Sequence, residues 1–496
     1  MIQRHRSRLA ALASAVVALG LVLAQPAATR AASADRVSSN DRALTAVVTL
    51  APDAGPEALD VPGLVVESRQ RHLGTAVVQA RSSAVIGRLV GRPGIRAVHE
   101  DSVLAPNSKD DAATGVDGSG VFASEGLGHN AGKRDAGRGI VVALVDTGVA
   151  DTVALDRASG RLIDGTDTSD GTDTSGGTDT SGGAIRADGY GHGTFMAGLI
   201  AGGPAPGSTG RAIGVAPGAS VLNVKVADDS GETSLSKVLE GFDWLLGAAQ
   251  SGRRIDVLSF SFSRTRPGPG YGPDPLTDAV ERIRGVGVTV VVSAGNVPGE
   301  VGDPGFHPRV ISVGAADLSV TRPRVAAFSG GATVAGVVRP DVVASGVHVL
   351  GLLPPDSFIA RANPKSRHGE LWRGSGTSQA TATTAGVAAL FRAEFPSATP
   401  REVKASLRAA AGQVQGAHAG AGLLRVARML RDGTDGPSDA DGGGDGEGGF
   451  DAGSWSAGSW SAGSWSAGSW SAGSWSAGSW SAGSWSSFWG SDGGEG

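Results

Sequence analysis

Five short runs of apolar, mostly β-branched residues alternate with segments of helical character, and this alternation constrains the fold most strongly. The runs cover residues 140–145, 221–226, 256–261, 288–293 and 310–315. Helical segments lie between them at residues 194–201, 234–249 and 275–285. Because strands buried on both faces read as continuous apolar runs, the pattern predicts an α/β domain with a mostly parallel central sheet flanked by helices. In such sheets, functional side chains gather at the carboxyl ends of the strands.

Four polar side chains stand where predicted strands end or helices begin. Asp146 follows the first run, Asn296 follows the fourth, and His192 lies in a glycine-rich stretch directly before a helix. Ser378 stands where the small-residue loop that starts at Gly374 becomes an Ala-rich helical run. Each has an ordinary structural alternative: a turn residue for the Asp and the Asn, a structural histidine, and an N-cap serine. Taken singly, none of the four identifies a function.

Three of these residues form the set that nucleophilic catalysis requires. A serine hydroxyl is a weak nucleophile at neutral pH, so it needs a neighbouring base, and the base needs an orienting carboxylate. Ser378, His192 and Asp146 supply one of each, in the chain order Asp, His, Ser. Asn296 and the backbone N–H of Ser378 are suited to hold an oxyanion. We therefore expect Asp146, His192 and Ser378 to be catalytic.

The motifs around these residues resemble those of the subtilase family, the subtilisin-like serine proteases, in their secreted bacterial form. Four motifs carry the resemblance: Asp-Thr-Gly-Val at 146–149, Gly-His-Gly-Thr at 191–194, Ser-Ala-Gly-Asn at 293–296 and Gly-Thr-Ser-Gln-Ala at 376–380. The resemblance implies a subtilisin-like fold for residues 139–431. It also implies peptide-bond hydrolysis through an acyl-enzyme on the serine.

A substrate-binding strand is a further implication of the resemblance. Its residues would be Ser259, Phe260, Ser261, Phe262 and Ser263. An extended substrate would pair with this strand as an added β-strand. Subtilases usually carry glycine at the position of Ser263, so this serine is expected to narrow the substrate pocket and to alter specificity.

The residues before the catalytic domain divide into three expected parts. Residues 1–34 have the basic start, the apolar run and the small residues of a secretion signal. Residues 35–105 show a β–β–β–α–β order, which behind a signal suggests an inhibitory, chaperone-like pro-segment; a retained subdomain is the alternative. Residues 106–138 are polar and Gly-rich, as expected for a linker or processing site at the start of the mature chain.

The C-terminal residues lack the composition of a folded core. Residues 432–451 are acidic and Gly-rich, which predicts a disordered linker. Ala-Gly-Ser-Trp-Ser then repeats over residues 452–486, so residues 452–496 are expected to be a disordered repeat tail. Its regularly spaced tryptophans could instead bind the cell wall, a polysaccharide or a protein, because indole rings stack and bury area at low entropic cost.

Metal binding follows less clearly from the sequence. The proposed chemistry requires no cofactor, but a structural calcium ion could bind in the polar insertion at residues 165–183. The acidic candidates there are Asp167, Asp170, Asp173 and Asp179. Their spacing matches no defined set of calcium ligands.

These features predict a secreted, extracellular serine endopeptidase that acts on proteins or peptides as a monomer and could associate with the cell wall. Removal of the pro-segment would mature it. The alternative is an inactive subtilase-fold protein whose Trp-rich tail carries the function; the intact triad argues against this. No basic patch indicates nucleic-acid binding, and no stretch after the signal is long and apolar enough to span a membrane.

Overall fold

The computed structural model describes residues 43–109, 136–169, 187–204, 212–264, 270–271, 273–334 and 336–433. The predicted signal, the 165–183 insertion from residue 170 onwards, the acidic linker beyond residue 433 and the repeat tail lie outside these residues. Among the described helices, none is both long and apolar enough to cross a membrane.

The N-terminal subdomain, residues 44–100, is an antiparallel sheet with one short helix. Its elements are β1 (Leu44–Leu50), β2 (Leu64–Gln70), β3 (Thr75–Ala80), α1 (Ser83–Gly87) and β4 (Ile95–Glu100). The strands lie in the order β4–β1–β3–β2. Apolar side chains of the strands pack with Ile86 and Leu89 in a core that belongs to this subdomain alone. The predicted β–β–β–α–β order of elements is confirmed.

The extended run of residues 95–104 is interrupted. It ends as β4, and a second strand, β5 (Val103–Pro106), begins after Asp101 and Ser102. The Asp101 carboxylate accepts hydrogen bonds from the backbone N–H of Ser236 (2.7 Å) and from its hydroxyl (2.8 Å). These donors belong to the first turn of a helix, where backbone N–H groups lack intrahelical partners. These hydrogen bonds fix the chain at Asp101, between β4 and β5, and the two strands belong to different sheets.

A mostly parallel sheet forms the centre of the molecule. The strands after β5 are β6 (Ser108–Lys109), β7 (Val141–Asp146), β8 (Leu162–Asp167), β9 (Ser220–Lys225), β10 (Thr233–Ser234), β11 (Val257–Phe260), β12 (Phe262–Ser263), β13 (Gly270–Tyr271), β14 (Thr289–Ser293), β15 (Ile311–Asp317), β16 (Arg324–Val325), β17 (Ala332–Val334), β18 (Val337–Arg339), β19 (Val342–Ser345), β20 (Val349–Gly351), β21 (Arg367–His368) and β22 (Leu371–Gly376). The central order is β16–β15–β14–β11–β7–β9–β8, with β19 beside β15. All neighbours in it run parallel except β16. The predicted α/β class is confirmed.

Helices cover this sheet, and one of them is wholly buried along most of its length. The helices after α1 are α2 (His192–Ala201), α3 (Leu235–Gln250), α4 (Pro275–Gly285), α5 (Phe358–Ala362), α6 (Thr377–Glu394), α7 (Pro400–Ala410) and α8 (Val426–Asp432). The central helix α6 packs against α2 and against β11, β14, β15 and β19. Its hydroxyls on Thr381 and Thr384 donate to carbonyls one turn back, each at 2.8 Å. These bonds give the two hydroxyls hydrogen-bond partners within the buried part of the helix.

A buried histidine lies among positive charges beside α7. His307 precedes β15 and is almost fully buried. Its Nε2 atom is 3.2 Å from a carboxylate oxygen of Glu281. Burial, together with the charges of Lys404, Arg309 and Arg339, lowers the pKa of His307 to about 3. The imidazole is therefore neutral at ordinary pH, and its protonation opposes folding.

We expect acid to destabilise the protein in part through His307. An unfolded histidine has a pKa of about 6.5. Since the folded pKa of His307 is about 3, the unfolded state binds more protons between these two values. The stabilising contribution is present above about pH 6.5 and is lost as the pH falls toward 3. At pH 4.5 the expected loss from this residue is about 3 kcal/mol of the free energy of unfolding.

The measurement compares His307→Gln with the unsubstituted residue, both in a Ser378→Ala background that prevents self-digestion. Urea unfolding at pH 7 and pH 4.5 gives the acid-induced loss of stability for each protein. The glutamine variant should lose about 2–3 kcal/mol less, because its side chain does not titrate. An equal loss in the two proteins would contradict the prediction.

Candidate active site

The first pair of predicted site residues is brought together and buried. Asp146 ends β7, and His192 begins α2. His192 Nδ1 lies 2.7 Å from Asp146 Oδ1, and both side chains are 1% exposed. Asp146 Oδ1 also accepts the N–H of Thr147 at 2.8 Å. Both bonds are made by the same oxygen, Oδ1, which presents an acceptor to the imidazole.

A glycine permits the close approach of α2 to the end of β7. A Cβ atom on Gly193 would lie 2.0 Å from the carbonyl oxygen of Gly148, which no side chain could tolerate. The N–H of Gly193 donates to the hydroxyl of Thr147 at 2.9 Å. The glycine after His192 therefore lets the helix start directly against the strand that carries Asp146.

A second carboxylate, which the sequence analysis missed, fixes the start of α2. Asp188 is buried and accepts two hydrogen bonds on each oxygen. Oδ1 accepts the hydroxyl of Thr147 (2.8 Å) and the N–H of Gly191 (2.7 Å). Oδ2 accepts the N–H (2.8 Å) and the hydroxyl (2.7 Å) of Thr194. Burial raises the pKa of Asp188, while these hydrogen bonds oppose the rise. Asp188 positions His192 by joining the end of β7 to its helix.

Ser378 lies in the first turn of α6 and is fully buried. Its hydroxyl donates to the carbonyl of Ser261 over 3.4 Å, which is a long bond. His192 Nε2 has no hydrogen-bond partner among the described residues, so the serine hydroxyl is not bonded to the base in this state. The ring of His192 packs edge-on to that of Phe262, next in the chain to Ser261, with centroids 6.0 Å apart. The two predicted catalytic side chains thus contact adjacent residues of the chain, Ser378 at Ser261 and His192 at Phe262.

Asn296 lies beyond the end of β14 and is fixed against the start of α6. Its Oδ1 accepts hydrogen bonds from the N–H and from the hydroxyl of Thr377, each at 3.0 Å. Since the amide oxygen is engaged, the end that remains for a substrate is the donating nitrogen. Thr377 directly precedes Ser378, so this contact ties the amide to the residue before the serine.

The five residues of the predicted substrate-binding strand divide between two strands. Ser259 and Phe260 belong to β11, which is buried between β7 and β14 in the central sheet. Ser261, Phe262 and Ser263 turn away from the sheet, and the last two form β12. The pairing edge therefore begins at Ser261. The apolar run at 256–261 did not show where the strand leaves the sheet.

The chain itself occupies this edge. Strand β5 lies antiparallel between β10 and β12, with Leu104 opposite Thr233 and Ala105 opposite Ser263. Leu104 is buried, whereas its neighbours Val103 and Ala105 are exposed. The segment thus takes the extended, two-sided pairing that a bound peptide would adopt.

The backbone that follows β5 continues past Ser378 and forms a hydrogen bond with it. The N–H of Asn107 donates to the carbonyl of Ser261 at 3.0 Å, and its own carbonyl accepts the N–H of Ser378 at 3.3 Å. Beyond it, β6 pairs antiparallel with β22, with Ser108 opposite Gly376. The peptide bond between residues 107 and 108 therefore lies beside Ser378, with its carbonyl oxygen toward the start of α6.

The acidic candidates for calcium binding are only partly described. Asp170, Asp173 and Asp179 lie outside the described residues. Asp167 Oδ1 accepts hydrogen bonds from the N–H (3.0 Å) and the hydroxyl (2.6 Å) of Ser169. Calcium binding by the insertion stays a prediction.

Sequence comparison finds related proteases. Residues 137–440 match the profile of the subtilase family, peptidase S8. The chain is 35% identical to serine protease AprX of Bacillus subtilis (strain 168) over 289 residues, which are 56% of this chain and 62% of AprX. It is 31% identical to subtilisin DY of Bacillus licheniformis over 250 residues, which are 49% of this chain and 78% of subtilisin DY.

Structural comparison gives the same fold. Fervidolysin from Fervidobacterium pennivorans is similar with a TM-score of 0.59 and 22% identity, over 79% of this chain and 61% of fervidolysin. This likeness confirms the subtilisin-like architecture. The chain spans less than two thirds of the length of AprX and of fervidolysin. Because the family profile covers more than half of the sequence, the chain belongs to the subtilase family.

Proposed function

We propose that the chain is a secreted serine endopeptidase that hydrolyses peptide bonds through an acyl-enzyme on Ser378. One observation carries the proposal. A peptide carbonyl, that of Asn107, lies with its oxygen 3.3 Å from the backbone nitrogen of Ser378. A backbone N–H at a helix start has no intrahelical partner. It is therefore suited to stabilise the negative charge that a carbonyl oxygen acquires during acyl transfer.

In the proposed mechanism, Ser378 Oγ attacks the peptide carbonyl carbon while His192 Nε2 takes its proton. The C–N bond then breaks, and His192 returns that proton to the departing amine. Water attacks the resulting ester, His192 again accepts and returns a proton, and the new carboxyl group leaves Ser378 free. Asp146 accepts the Nδ1–H, which leaves Nε2 as the base, and it stabilises the imidazolium that forms.

The hydroxyl of Ser378 must turn toward the imidazole before the attack. At present it donates to the Ser261 carbonyl over 3.4 Å, and a bond of that length is weak. The Nε2 atom of His192 is buried without a hydrogen-bond partner among the described residues, and such an atom gains by accepting a donor. Rotation of the hydroxyl toward Nε2 therefore exchanges a poor bond for a better one. Catalytic hydrogen bonds are often long before the reacting complex forms.

Asn296 would supply the second oxyanion donor. Its amide oxygen is held by Thr377, so its nitrogen can be directed at the oxygen that develops charge. A side-chain donor in this role stabilises the transition state by about 3 kcal/mol. The fixed orientation matters because a donor that is already in place needs no reorganisation during the reaction.

The N-terminal subdomain would act as an inhibitory pro-segment. It covers α3 through a hydrogen bond from the hydroxyl of Ser68 to Glu240 (2.8 Å) and one from the N–H of Leu73 to Asp243 (2.8 Å). Its last strand continues into β5, which fills the predicted substrate edge. Removal of residues 35–105 would expose that edge to protein substrates outside the cell. The Trp-rich tail would then serve for attachment to a cell-wall component, a polysaccharide or a protein.

The second candidate is an inactive subtilase-fold binding protein that acts through its tail. A buried Asp–His pair at 2.7 Å and a serine with a peptide carbonyl at its N–H favour the enzyme. An inactive protein would need neither arrangement.

A serine-directed fluorophosphonate probe tests the proposed function. Full-length secreted protein is freed of its N-terminal segment, by itself or by limited proteolysis in trans, and is then treated with the probe. We expect one label per chain, on the peptide that contains Ser378, and a parallel loss of peptide hydrolysis. Heat-denatured protein is the control and should not react. An unlabelled folded protein, or a label on another serine, would refute the assignment.

A further inference from the structure

The side chain of Asn107 is held by two serine hydroxyls. Its Nδ2 group donates to Ser293 Oγ at 2.6 Å, and its Oδ1 accepts the hydroxyl of Ser263 at 3.0 Å. Ser293 is fully buried at the end of β14, and Asn107 is 8% exposed. Together with the two backbone bonds to Ser261 and Ser378, both backbone groups and both ends of the side-chain amide have partners. Such full pairing is what a site built for this side chain would show.

Two glycines, Gly295 and Gly302, lie next to the side chain of Ser263. A Cβ atom on Gly302 would lie 2.5 Å from Ser263 Oγ, and one on Gly295 would lie 3.7 Å from it. Glycine at residue 302 therefore leaves the space that the serine side chain fills. The serine takes volume from the pocket and places a hydroxyl beside the amide of Asn107.

This arrangement discriminates between side chains. An apolar residue would leave the buried hydroxyl of Ser293 and the half-buried hydroxyl of Ser263 without this partner. The loss is costly above all at the buried group. An aspartate would carry a charge into a buried site. The guanidinium next in the chain, that of Arg264, already donates to Asp303 and Asp274, so it does not neutralise that charge. Glutamine is longer than asparagine by one methylene, and the extra volume would strain a site that asparagine already fills.

We propose that this protease selects asparagine on the amino side of the bond it cleaves, through Ser263 and Ser293, and that it matures by cleaving its own Asn107–Ser108 bond. The inference rests on the proposed endopeptidase function and adds its substrate class. In the maturation step, Ser378 Oγ bonds to the Asn107 carbonyl carbon and the bond to Ser108 nitrogen breaks. The serine proton passes through His192 to that nitrogen, and water releases the Asn107 carboxyl group.

A buried leucine three residues before the asparagine adds to this selectivity. Leu104 packs in the apolar cluster that contains Leu235 and Phe262, whereas Val103 and Ala105 are exposed. Recognition thus combines an apolar contact at Leu104 with a polar contact at Asn107. Short peptides with the sequence Leu-Ala-Pro-Asn reproduce both.

Fluorogenic amides of Leu-Ala-Pro-X measure the selectivity of the mature enzyme directly. With X as Asn, we expect kcat/KM to exceed that for Leu, Asp or Gln by about 10- to 100-fold. A value for leucine equal to or above that for asparagine would overturn the inference and leave the endopeptidase function intact. Absence of cleavage of all peptides, with no probe on Ser378, would instead refute the proposed function itself.

Ser263→Ala tests the role of the pocket serine. The ratio of kcat/KM for the Asn and Leu peptides should fall about tenfold, because one partner of the amide is removed. The ratio, unlike the rate, is insensitive to a general loss of folded enzyme. Ser251→Ala, at an exposed serine after α3, is the matched control and should leave the ratio unchanged. An unchanged ratio in Ser263→Ala, or in Ser263→Gly if the alanine variant does not fold, would overturn the assignment.

The mature N-terminus tests the cleavage site. Mass spectrometry of the secreted protein should find a chain that begins at Ser108, and Asn107→Leu should slow its appearance about 10- to 100-fold. In Ser378→Ala the bond should stay intact. Cleavage of the same bond in that variant would point to attack by the asparagine side chain and would overturn self-processing by Ser378. A mature chain that begins elsewhere would overturn the site.

Discussion

Ser378→Ala is expected to lower kcat for peptide hydrolysis about 10⁶-fold. The alanine variant cannot form the acyl-enzyme, and the base, the orienting carboxylate and the oxyanion donors are left with no nucleophile to serve. The residual rate would come from binding and from the oxyanion donors alone. The full-length variant should keep its N-terminal segment, which intact mass would show.

The measurement uses variant protein whose N-terminal segment has been removed in trans, with a peptide amide as substrate. Stability is the control, because Ser378 Oγ makes only a 3.4 Å hydrogen bond and its loss should change the free energy of unfolding by less than about 1 kcal/mol. A second control, Ser251→Ala, should keep the activity of the parent protein. Turnover within tenfold of the parent by Ser378→Ala would show that the nucleophile is another group.

Asp146→Asn is expected to lower kcat about 10⁴-fold. The amide is neutral, so it cannot stabilise the imidazolium that forms when His192 accepts the serine proton. If its NH₂ group faces Nδ1, it also favours the tautomer in which Nε2 carries the hydrogen and is no longer a base. The change conserves the size and shape of the side chain, so the fold should persist.

The rate of self-cleavage offers an internal assay for Asp146→Asn. The bond to be cleaved already lies at the nucleophile, so processing of the full-length variant should be slowed in proportion to kcat and should not depend on protein concentration. Asp151→Asn is the matched control, since it makes the same chemical change at an exposed carboxylate that pairs with Arg157. Processing of Asp146→Asn at a rate near that of this control would contradict the role given to Asp146.

Elements whose signals are local could be predicted from the sequence. Continuous apolar runs gave the central strands, because a strand buried on both faces has no polar alternation. The start of α7 has a local signal in Thr399, Pro400 and Glu402, and the structure shows the reciprocal cap, with Thr399 N–H donating to Glu402 at 2.7 Å. The Asp–His contact could be expected because both residues lie at element ends that a parallel sheet brings to one edge.

Features that depend on distant contacts could not be predicted. Asp188 is separated from Thr147 by 41 positions, and an Asp before a glycine-rich turn has the same local appearance as any turn residue. Asn107 reads as part of a polar linker, and its pairing with Ser263 and Ser293 exists only when three separate segments meet. The interruption at Asp101 arises likewise from a helix more than a hundred residues away.

Because β5 pairs with a strand on each side, cleavage of the chain and activation of the enzyme are separate events. Hydrolysis after Asn107 would cut the chain but would remove none of the hydrogen bonds that join β5 to β10 and β12, nor the contacts of Asp101 and Ser68 with α3. The cleaved segment would therefore remain bound as a product, and the enzyme would stay inhibited until that product dissociates. The lag between secretion and activity would then be set by a dissociation rate, which temperature and salt can alter while the catalytic residues stay the same.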